Sequence, residues 1–417
     1  MTHPPGDPAA AVARFFTTPP DGPLGVAVSG GSDSLALLFL LHDWAATSDT
    51  PLHAVTVDHG LRPEAAEEAA FVARIAETLA IPHKTLRWSG WDGQGNLPDR
   101  ARRARYALMA DWAAGQGIAQ IALGHTADDQ AETFLMRLAR GSGAEGLSAM
   151  SPRREEGGVT FLRPLLDQRR DALRAVLTAR GQSWIDDPTN DDPSYDRPRF
   201  RQAMPQLAQL GLTADALTSA AANLRAATDT IAHYAGQEAR RIVRFEAGDI
   251  LLPRSGVLAL PPEITRRLLT AALRWIAGED YPPRRAGLDR LTAALLAGET
   301  MALSGCLMTN DQTTIRLTRE AAAVATTRAE PGEIWDGRWQ ITGPFGPGDH
   351  IAATGEAGLR HCPDWRDSGL KRTSLLAAPA VWRGNELRAS PLANHSAGFA
   401  ARLTRTAEVF HATFHTH

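Results

Sequence analysis

Between residues 24 and 140, short apolar runs alternate with longer amphipathic segments, and that alternation leaves few folds open. Residues 24–28, 52–57, 84–88 and 118–123 read as strands, and 35–46, 64–79, 98–114 and 127–140 as helices. In the second of these helices Phe71, Val72, Ile75 and Leu79 fall on one face. Strands that alternate with helices build a parallel sheet with helices on both faces. Such sheets bind ligands beyond the carboxyl ends of their strands. The expected class is therefore α/β over residues 1–205. The pattern ends near Asp186, in the turn-rich stretch Asp186-Asp187-Pro188-Thr189-Asn190-Asp191-Asp192-Pro193. Residues 200–302 are rich in Ala and Leu, which predicts a mainly helical domain over 206–325. From Trp335 onward Gly, Pro and Thr surround short apolar stretches at 339–341 and 380–382, which predicts a small α+β domain over 332–417. Residues 321–331 are the expected linker.

The end of the first strand carries the most informative motif, Val28-Ser29-Gly30-Gly31-Ser32-Asp33-Ser34. Two glycines allow a tight turn and a close backbone approach. Three hydroxyls, together with the unpaired amides of a helix start, suit phosphate oxygens. Asp33 is a poor direct partner for phosphate but a good ligand for a magnesium ion that bridges phosphates. No Lys follows the second glycine as the Walker pattern requires, and the G-x-G-x-x-G spacing is missing. The alternative reading is a Gly/Ser turn whose Ser or Asp caps a helix.

Composition narrows the classes further. The longest apolar run, residues 35–41, is too short to span a bilayer. The opening MTHPPGDPAA pairs no basic segment with an apolar one, so no signal peptide is expected. Two cysteines, Cys306 and Cys362, exclude a disulfide scaffold and a Cys-rich zinc site and point to a reducing, cytoplasmic setting. A net charge of -3 does not advertise a nucleic-acid binder, although a sum can hide local patches. Lys84 and Lys371 are the only lysines among 44 basic residues. That bias fits a GC-rich coding sequence, and arginine also suits bidentate phosphate contacts.

The motif at residues 29–34 resembles the Ser-Gly-Gly-x-Asp-Ser signature of the PP-loop ATP pyrophosphatases. Three further segments are similar to one branch of them, the tRNA(Ile)-lysidine synthetase family. These are Asp58-His59-Gly60-Leu61-Arg62-Pro63-Glu64, the run from Gly124-His125-Thr126 through Asp128-Asp129-Gln130 to Glu132-Thr133, and Arg140-Gly141-Ser142-Gly143-Ala144-Glu145-Gly146-Leu147. Asn96, Arg102, Arg105 and Tyr106 fit the same family, as do Arg197, Arg199 and Arg201. The likeness covers most of residues 22–205 and thins to scattered matches beyond. Pro198 departs from it, standing where the family usually has Asn.

The resemblance implies a PP-loop catalytic domain and a two-step ligation. The 2-carbonyl oxygen of the wobble cytidine in a CAU anticodon attacks the α-phosphorus of ATP, and pyrophosphate leaves. The ε-amine of free L-lysine then displaces AMP, giving lysidine and switching decoding from AUG to AUA. ATP and Mg2+ are the implied cofactors, and tRNA(Ile) and free L-lysine the implied partners. No membrane is expected, and a homodimer is left open. The resemblance makes Asp33, Arg105, His125 and Asp129 the expected catalytic set, with Asp33 on the metal. Ser29, Gly30, Gly31, Ser32, Asp33, Ser34, His59, Arg62 and Gly124 are expected at ATP. Asp128, Asp129 and Glu132 are expected at the lysine ammonium groups, and Arg102, Arg197, Arg199, Arg201, Lys371 and Arg372 at tRNA.

Each assignment has a plainer counterpart. Thr126 and Asp129 have capping-box spacing, and acids at a helix start are favoured by its dipole. His59 could pack on Leu61, and Arg102 could belong to a solvated basic face. The arginines at 197, 199 and 201 either clamp RNA phosphates or order the acidic turn before them. Among other enzymes of the superfamily, a tRNA-thiolating one needs cysteines, and residues 1–305 contain none. A glutamine-hydrolysing partner domain lacks any nucleophile motif here. A different class, a regulator that binds ATP and tRNA without turnover, stays open.

Overall fold

The computed structural model describes residues 6–60, 65–89, 97–186, 196–279 and 282–414. The chain divides into two compact units, Met1–Thr228 with His417, and Asp229–Thr416.

The first unit opens with α1 (Pro8–Phe15), β1 (Leu24–Ala27), α2 (Ser32–Ser48), β2 (Leu52–Asp58), α3 (Ala65–Thr78) and β3 (His83–Arg87). It continues with α4 (Leu97–Gln116), β4 (Gln120–Leu123), α5 (Ala127–Ala139), α6 (Ala144–Leu147), β5 (Arg153–Glu156) and β6 (Val159–Leu162). Helices α7 (Arg170–Ala179) and α8 (Asp196–Gln209) follow, and α9 (Ala214–Ile242) contains the boundary between the units. The strands form one sheet in the order β3-β2-β1-β4-β6-β5, parallel except for the β5–β6 pair. Every residue of β1 is buried, which is why it reads as a continuous apolar run rather than an alternation. One face packs Leu35, Leu38, Leu41 and Val72 against Leu24 and Val26. The other packs Tyr106, Met109 and Ala113 against Ile121 and Phe161.

Register fixes the functional end. β1 lies between β2 and β4, with Ala27 opposite Val55 on one side and Leu123 on the other. The chain leaves β1 toward β2 and returns later to β4, so the connections diverge at their carboxyl ends. That divergence opens the crevice where doubly wound sheets hold ligands.

The second unit contains β7 (Arg244–Glu246), β8 (Asp249–Pro253), α10 (Arg254–Leu258), α11 (Pro262–Ala277), α12 (Arg285–Ala297), β9 (Met301–Leu303), β10 (Cys306–Asn310) and β11 (Thr314–Arg319). Its strands form an antiparallel sheet, β7-β8-β11-β10-β9, covered by Leu268, Ile276 and Leu291 of the helices. The Ala/Leu-rich composition gave no sign of this sheet. The expected linker at 321–331 is instead built into the fold: it contains α13 (Ala321–Val324) and β12 (Arg328–Ala329), and Val324 is fully buried. Beyond it come β13 (Ile334–Trp335), β14 (Trp339–Thr342), β15 (Asp349–Ala353), α14 (Gly355–Leu359), α15 (Arg372–Leu376), β16 (Pro379–Arg383), β17 (Glu386–Ala389), β18 (Ala400–Leu403) and α16 (Ala407–Ala412). Two small antiparallel sheets, β12-β15-β16-β17 and β13-β14-β18, close around Trp335, Ile341, Ile351 and Val381. Both short apolar stretches expected there are strands.

Candidate active site

The loop after β1 is held open by its own backbone and serines. Gly30 sits at φ +89°, and a Cβ there would lie 2.8 Å from Ile185 Cδ1. The Ile185 amide donates to the Gly30 carbonyl at 2.9 Å, tying the loop to the segment after α7. Ser34 Oγ accepts from the Ser29 amide at 3.1 Å and donates to the Gly31 carbonyl at 3.0 Å. Ser34 therefore staples the turn, while the neighbouring Ser29 is exposed. The N-cap of α2 is Gly31, which offers no side-chain acceptor. The first-turn amides of α2 are thus left for an external anion.

The turn after β4 comes up against this loop. A Cβ on Gly124 would stand 2.9 Å from the carbonyl carbon and oxygen of Asp33 and from Cα of Ser34. Backbone meets backbone here, and only glycine permits it. This contact brings the head of α5 beside Asp33.

At that head lie Asp128, Asp129 and Glu132, facing four arginines. The capping-box reading is realised: Asp129 Oδ2 accepts from the Thr126 amide at 2.8 Å and from Thr126 Oγ1 at 2.9 Å. Its other oxygen, Oδ1, faces Arg197 Nη2 at 3.1 Å and Arg170 Nη2 at 3.3 Å. One carboxylate thus caps the helix through Oδ2 and pairs with two arginines through Oδ1. Glu132, 2% exposed, accepts from Arg197 Nε at 2.8 Å and Arg201 Nε at 2.7 Å. Arg170 also reaches Asp33, with Nε 2.8 Å from Oδ2. Asp128 is used at the start of α7, where Oδ2 accepts from the Arg170 amide at 2.8 Å and Oδ1 pairs with Arg169 at 2.9 Å. Burial raises the Asp33 carboxyl above its ordinary 3.8, against the pull of Arg170. Burial pushes Asp129 the same way, but Arg197 and Arg170 outweigh it and hold that carboxyl below its ordinary value.

His125 follows Gly124 and is anchored by a residue not expected from the sequence. Arg163 Nε donates to His125 Nδ1 at 3.3 Å, and Arg163 Nη2 donates to the Tyr106 hydroxyl at 3.3 Å. Burial pushes the imidazole down to about 3, with Arg163, Arg197 and Arg105 adding to the effect and Asp129 opposing it. The ring is neutral near pH 7, accepts at Nδ1 and carries its proton on Nε2. It offers a neutral hydrogen-bond donor at Nε2. Arg102 stacks over Tyr106, its Cζ 5.3 Å from the ring centroid. Among the described residues neither Arg102 nor Arg105 is paired with a carboxylate.

His59, at the end of β2, stands edge-on to Trp88 with ring centroids 6.0 Å apart. Its Nδ1 is buried without a hydrogen-bond partner among the described residues. Burial, and then Arg105, push its pKa down from 6.5, so the ring is neutral near pH 7. Arg62, Asn96 and residues 187–190 lie outside the described residues.

The remaining expected cations separate. Arg197 and Arg201 face Glu132 on α5, which is neither of the two poses expected for them. Arg199 is 60% exposed and pairs with Asp196. Lys371 and Arg372 belong to the second unit, where Arg372 pairs with Glu356. Sequence reasoning missed Arg163 and Arg170. The only signal was an arginine pair, Arg169-Arg170, before a helical pattern.

A family model described as a PP-loop domain matches residues 7–207. The tRNA(Ile)-lysidine synthase of Ruegeria pomeroyi is 47% identical over 405 residues, covering 97% of this chain and 96% of that protein. The proteins of the same name from a Bradyrhizobium species and from Zymomonas mobilis are each 40% identical, covering 74% and 70% of this chain and 93% and 88% of their own lengths.

Proposed function

The chain belongs to the tRNA(Ile)-lysidine synthase family, and from that premise we propose that it joins free L-lysine to C2 of the wobble cytidine in the CAU anticodon of tRNA(Ile) at the expense of ATP. The observation that carries the reading is one contact. Gly124 seats the head of α5, with a buried pair of carboxylates, directly against Asp33 and the uncapped start of α2. A phosphate site and an ammonium site are thereby neighbours, as adenylation followed by amine attack requires.

In the first step the cytidine O2 forms a bond to the α-phosphorus, and the bond to the pyrophosphate oxygen breaks. The amides at the α2 start hold the leaving phosphates. We assign the Nε2–H of His125 and the guanidinium of Arg105 to the charge that develops on the α-phosphate. We assign His59, neutral at the end of β2, to the adenosine side of the site. In the second step the lysine ε-ammonium gives a proton to Asp129 or Glu132, the freed amine bonds to C2, and AMP leaves with the oxygen. Asp129 and Glu132, paired here with Arg170, Arg197 and Arg201, are the carboxylates we assign to the lysine ammonium groups in exchange for those arginines, and Asp128 fixes α7 behind them.

Asp33 is the ligand we assign to a divalent cation. Among the described residues no group of three His, Cys, Asp or Glu is arranged to hold a metal alone. A single carboxylate beside serine hydroxyls fits Mg2+, which keeps waters and takes its other oxygens from phosphates. When bound, the ion supplies charge neutralisation for the leaving pyrophosphate.

We assign the exposed Arg102 and Arg199 to the anticodon-loop backbone and Lys371 and Arg372 to the tRNA body. A splayed single-stranded base is the form in which proteins read RNA sequence. No helix among the described residues is long and apolar enough to cross a membrane, and we place the reaction in the cytoplasm with its tRNA substrate. AMP release tests the reading. It should need tRNA and lysine together; binding of ATP and tRNA without AMP release would leave a regulator without chemistry.

A further inference from the structure

Arg170 links the two halves of the site. Its Nε lies 2.8 Å from Asp33 Oδ2, its Nη2 3.3 Å from Asp129 Oδ1 and its Nη1 3.9 Å from Glu132 Oε1. It is the first residue of α7, a position where the helix dipole disfavours a cation, so helix stability does not explain it. Its backbone amide is already satisfied by Asp128 Oδ2 at 2.8 Å, which leaves the side chain free of any capping task. Arg197 shares Asp129 Oδ1 with Arg170 and takes Glu132 Oε2, and Arg201 shares Glu132 Oε1 with Arg170. Among the described residues Arg170 is the one cation paired with Asp33.

Three carboxylates, Asp33, Asp129 and Glu132, are therefore matched by three guanidiniums. A divalent ion on Asp33 breaks that balance. It would bind a carboxylate oxygen at about 2.1 Å, on a group whose Oδ2 holds Arg170 and whose Oδ1 accepts from Ser32 Oγ at 3.1 Å. Two cations cannot share that oxygen without strong repulsion.

We propose that Arg170 is a positioning residue that fills the metal carboxylate in the ATP-free site and passes to phosphate oxygens when the metal–ATP complex arrives. The proposal rests on the assignment of Asp33 to the metal. Its arginine is planar and permanently charged, so it can exchange a carboxylate for a phosphate without a proton moving. The exchange keeps the cluster neutral before substrate binds, and it sets a cation against the phosphates only after the metal is in place.

The test uses the full chain with Arg170→Gln and Arg170→Lys. Mn2+ binding without nucleotide is read by electron paramagnetic resonance, and ATP binding with Mg2+ by calorimetry. Arg170→Gln should bind Mn2+ about tenfold more tightly and ATP about tenfold more weakly. Arg170→Lys should keep more of the ATP affinity. A merely structural arginine would weaken both. Unchanged or weaker Mn2+ binding in a variant that melts like the wild type overturns the proposal. If neither variant folds, the wild-type structure with Mg2+ and a non-hydrolysable ATP analogue decides. Arg170 should then leave Asp33 for phosphate; a metal on Asp33 with Arg170 still at Oδ2 overturns the proposal. Lysine transfer by the wild type is independent of either result, so a failure here is distinguishable from a failure of the proposed function.

Discussion

Glu132→Ala isolates the energetic core of the cluster. Its side chain is 2% exposed and accepts from Arg197 Nε at 2.8 Å, from Arg201 Nε at 2.7 Å and from Arg201 Nη2 at 3.3 Å. Removing one partner of a buried ion pair costs about 3–5 kcal/mol, because the partner's charge is left uncompensated. The stranded groups here are partly wet: Arg197 keeps 36% and Arg201 31% of its side-chain surface. Solvent therefore recovers part of the loss, and we expect about 2–4 kcal/mol. For a unit of this size each kcal/mol lowers the melting temperature by about 2–4 °C, so the first unit should melt about 4–16 °C lower. Differential scanning calorimetry of the full chain reads this directly. Arg201→Ala in the Glu132→Ala background should then cost little more, since its partner is already gone. A loss under about 1 kcal/mol would refute the reasoning, because it would mean the carboxylate pays as much in desolvation as the pairs return.

Other positions give equally direct tests. Gly124→Ala drives a methyl into the Asp33 carbonyl and Ser34 Cα at 2.9 Å; overpacking costs about 1–3 kcal/mol, and titration should show ATP affinity falling more than tenfold in a chain that still folds. His125, with its pKa depressed from 6.5 to about 3, should show no imidazole titration between pH 8 and 5 by NMR. The unfolded chain takes up that proton and the folded chain does not, so the stability His125 contributes is full above about pH 6.5 and is lost as pH falls toward 3, by about 1.4 kcal/mol per pH unit; His125→Gln should flatten the slope in urea titrations. Asp33→Asn should leave the melting temperature within a few degrees and abolish AMP formation, and retained activity would remove its assignment to the metal.

What could be read from the sequence follows from what is local. Strand and helix order across 24–140 came through because each element announces itself within its own residues, as β1 does by being apolar throughout. The Gly/Ser turn before α2 was visible because a turn into a helix is a short-range pattern. The partners of Glu132 were not, because Arg170, Arg197 and Arg201 come from two later helices and meet it only through the tertiary fold. With arginine supplying nearly all the basic residues, no composition argument selects those three. Asp129 shows a second limit: its spacing allowed a cap or a ligand, and its two oxygens do different work. The β5–β6 hairpin escaped notice because Arg153–Glu156 is charged throughout and mostly exposed, with no alternation to mark a strand.

The central claim is a transfer of lysine to one base of one RNA. The most direct measurement incubates the full chain with ATP, Mg2+, radiolabelled L-lysine and either a tRNA(Ile) transcript with a CAU anticodon or a methionine tRNA. Label should enter the isoleucine tRNA alone, at the wobble cytidine, with one AMP released for each lysine. Unlabelled tRNA(Ile) alongside ATP cleaved for another acceptor would contradict it.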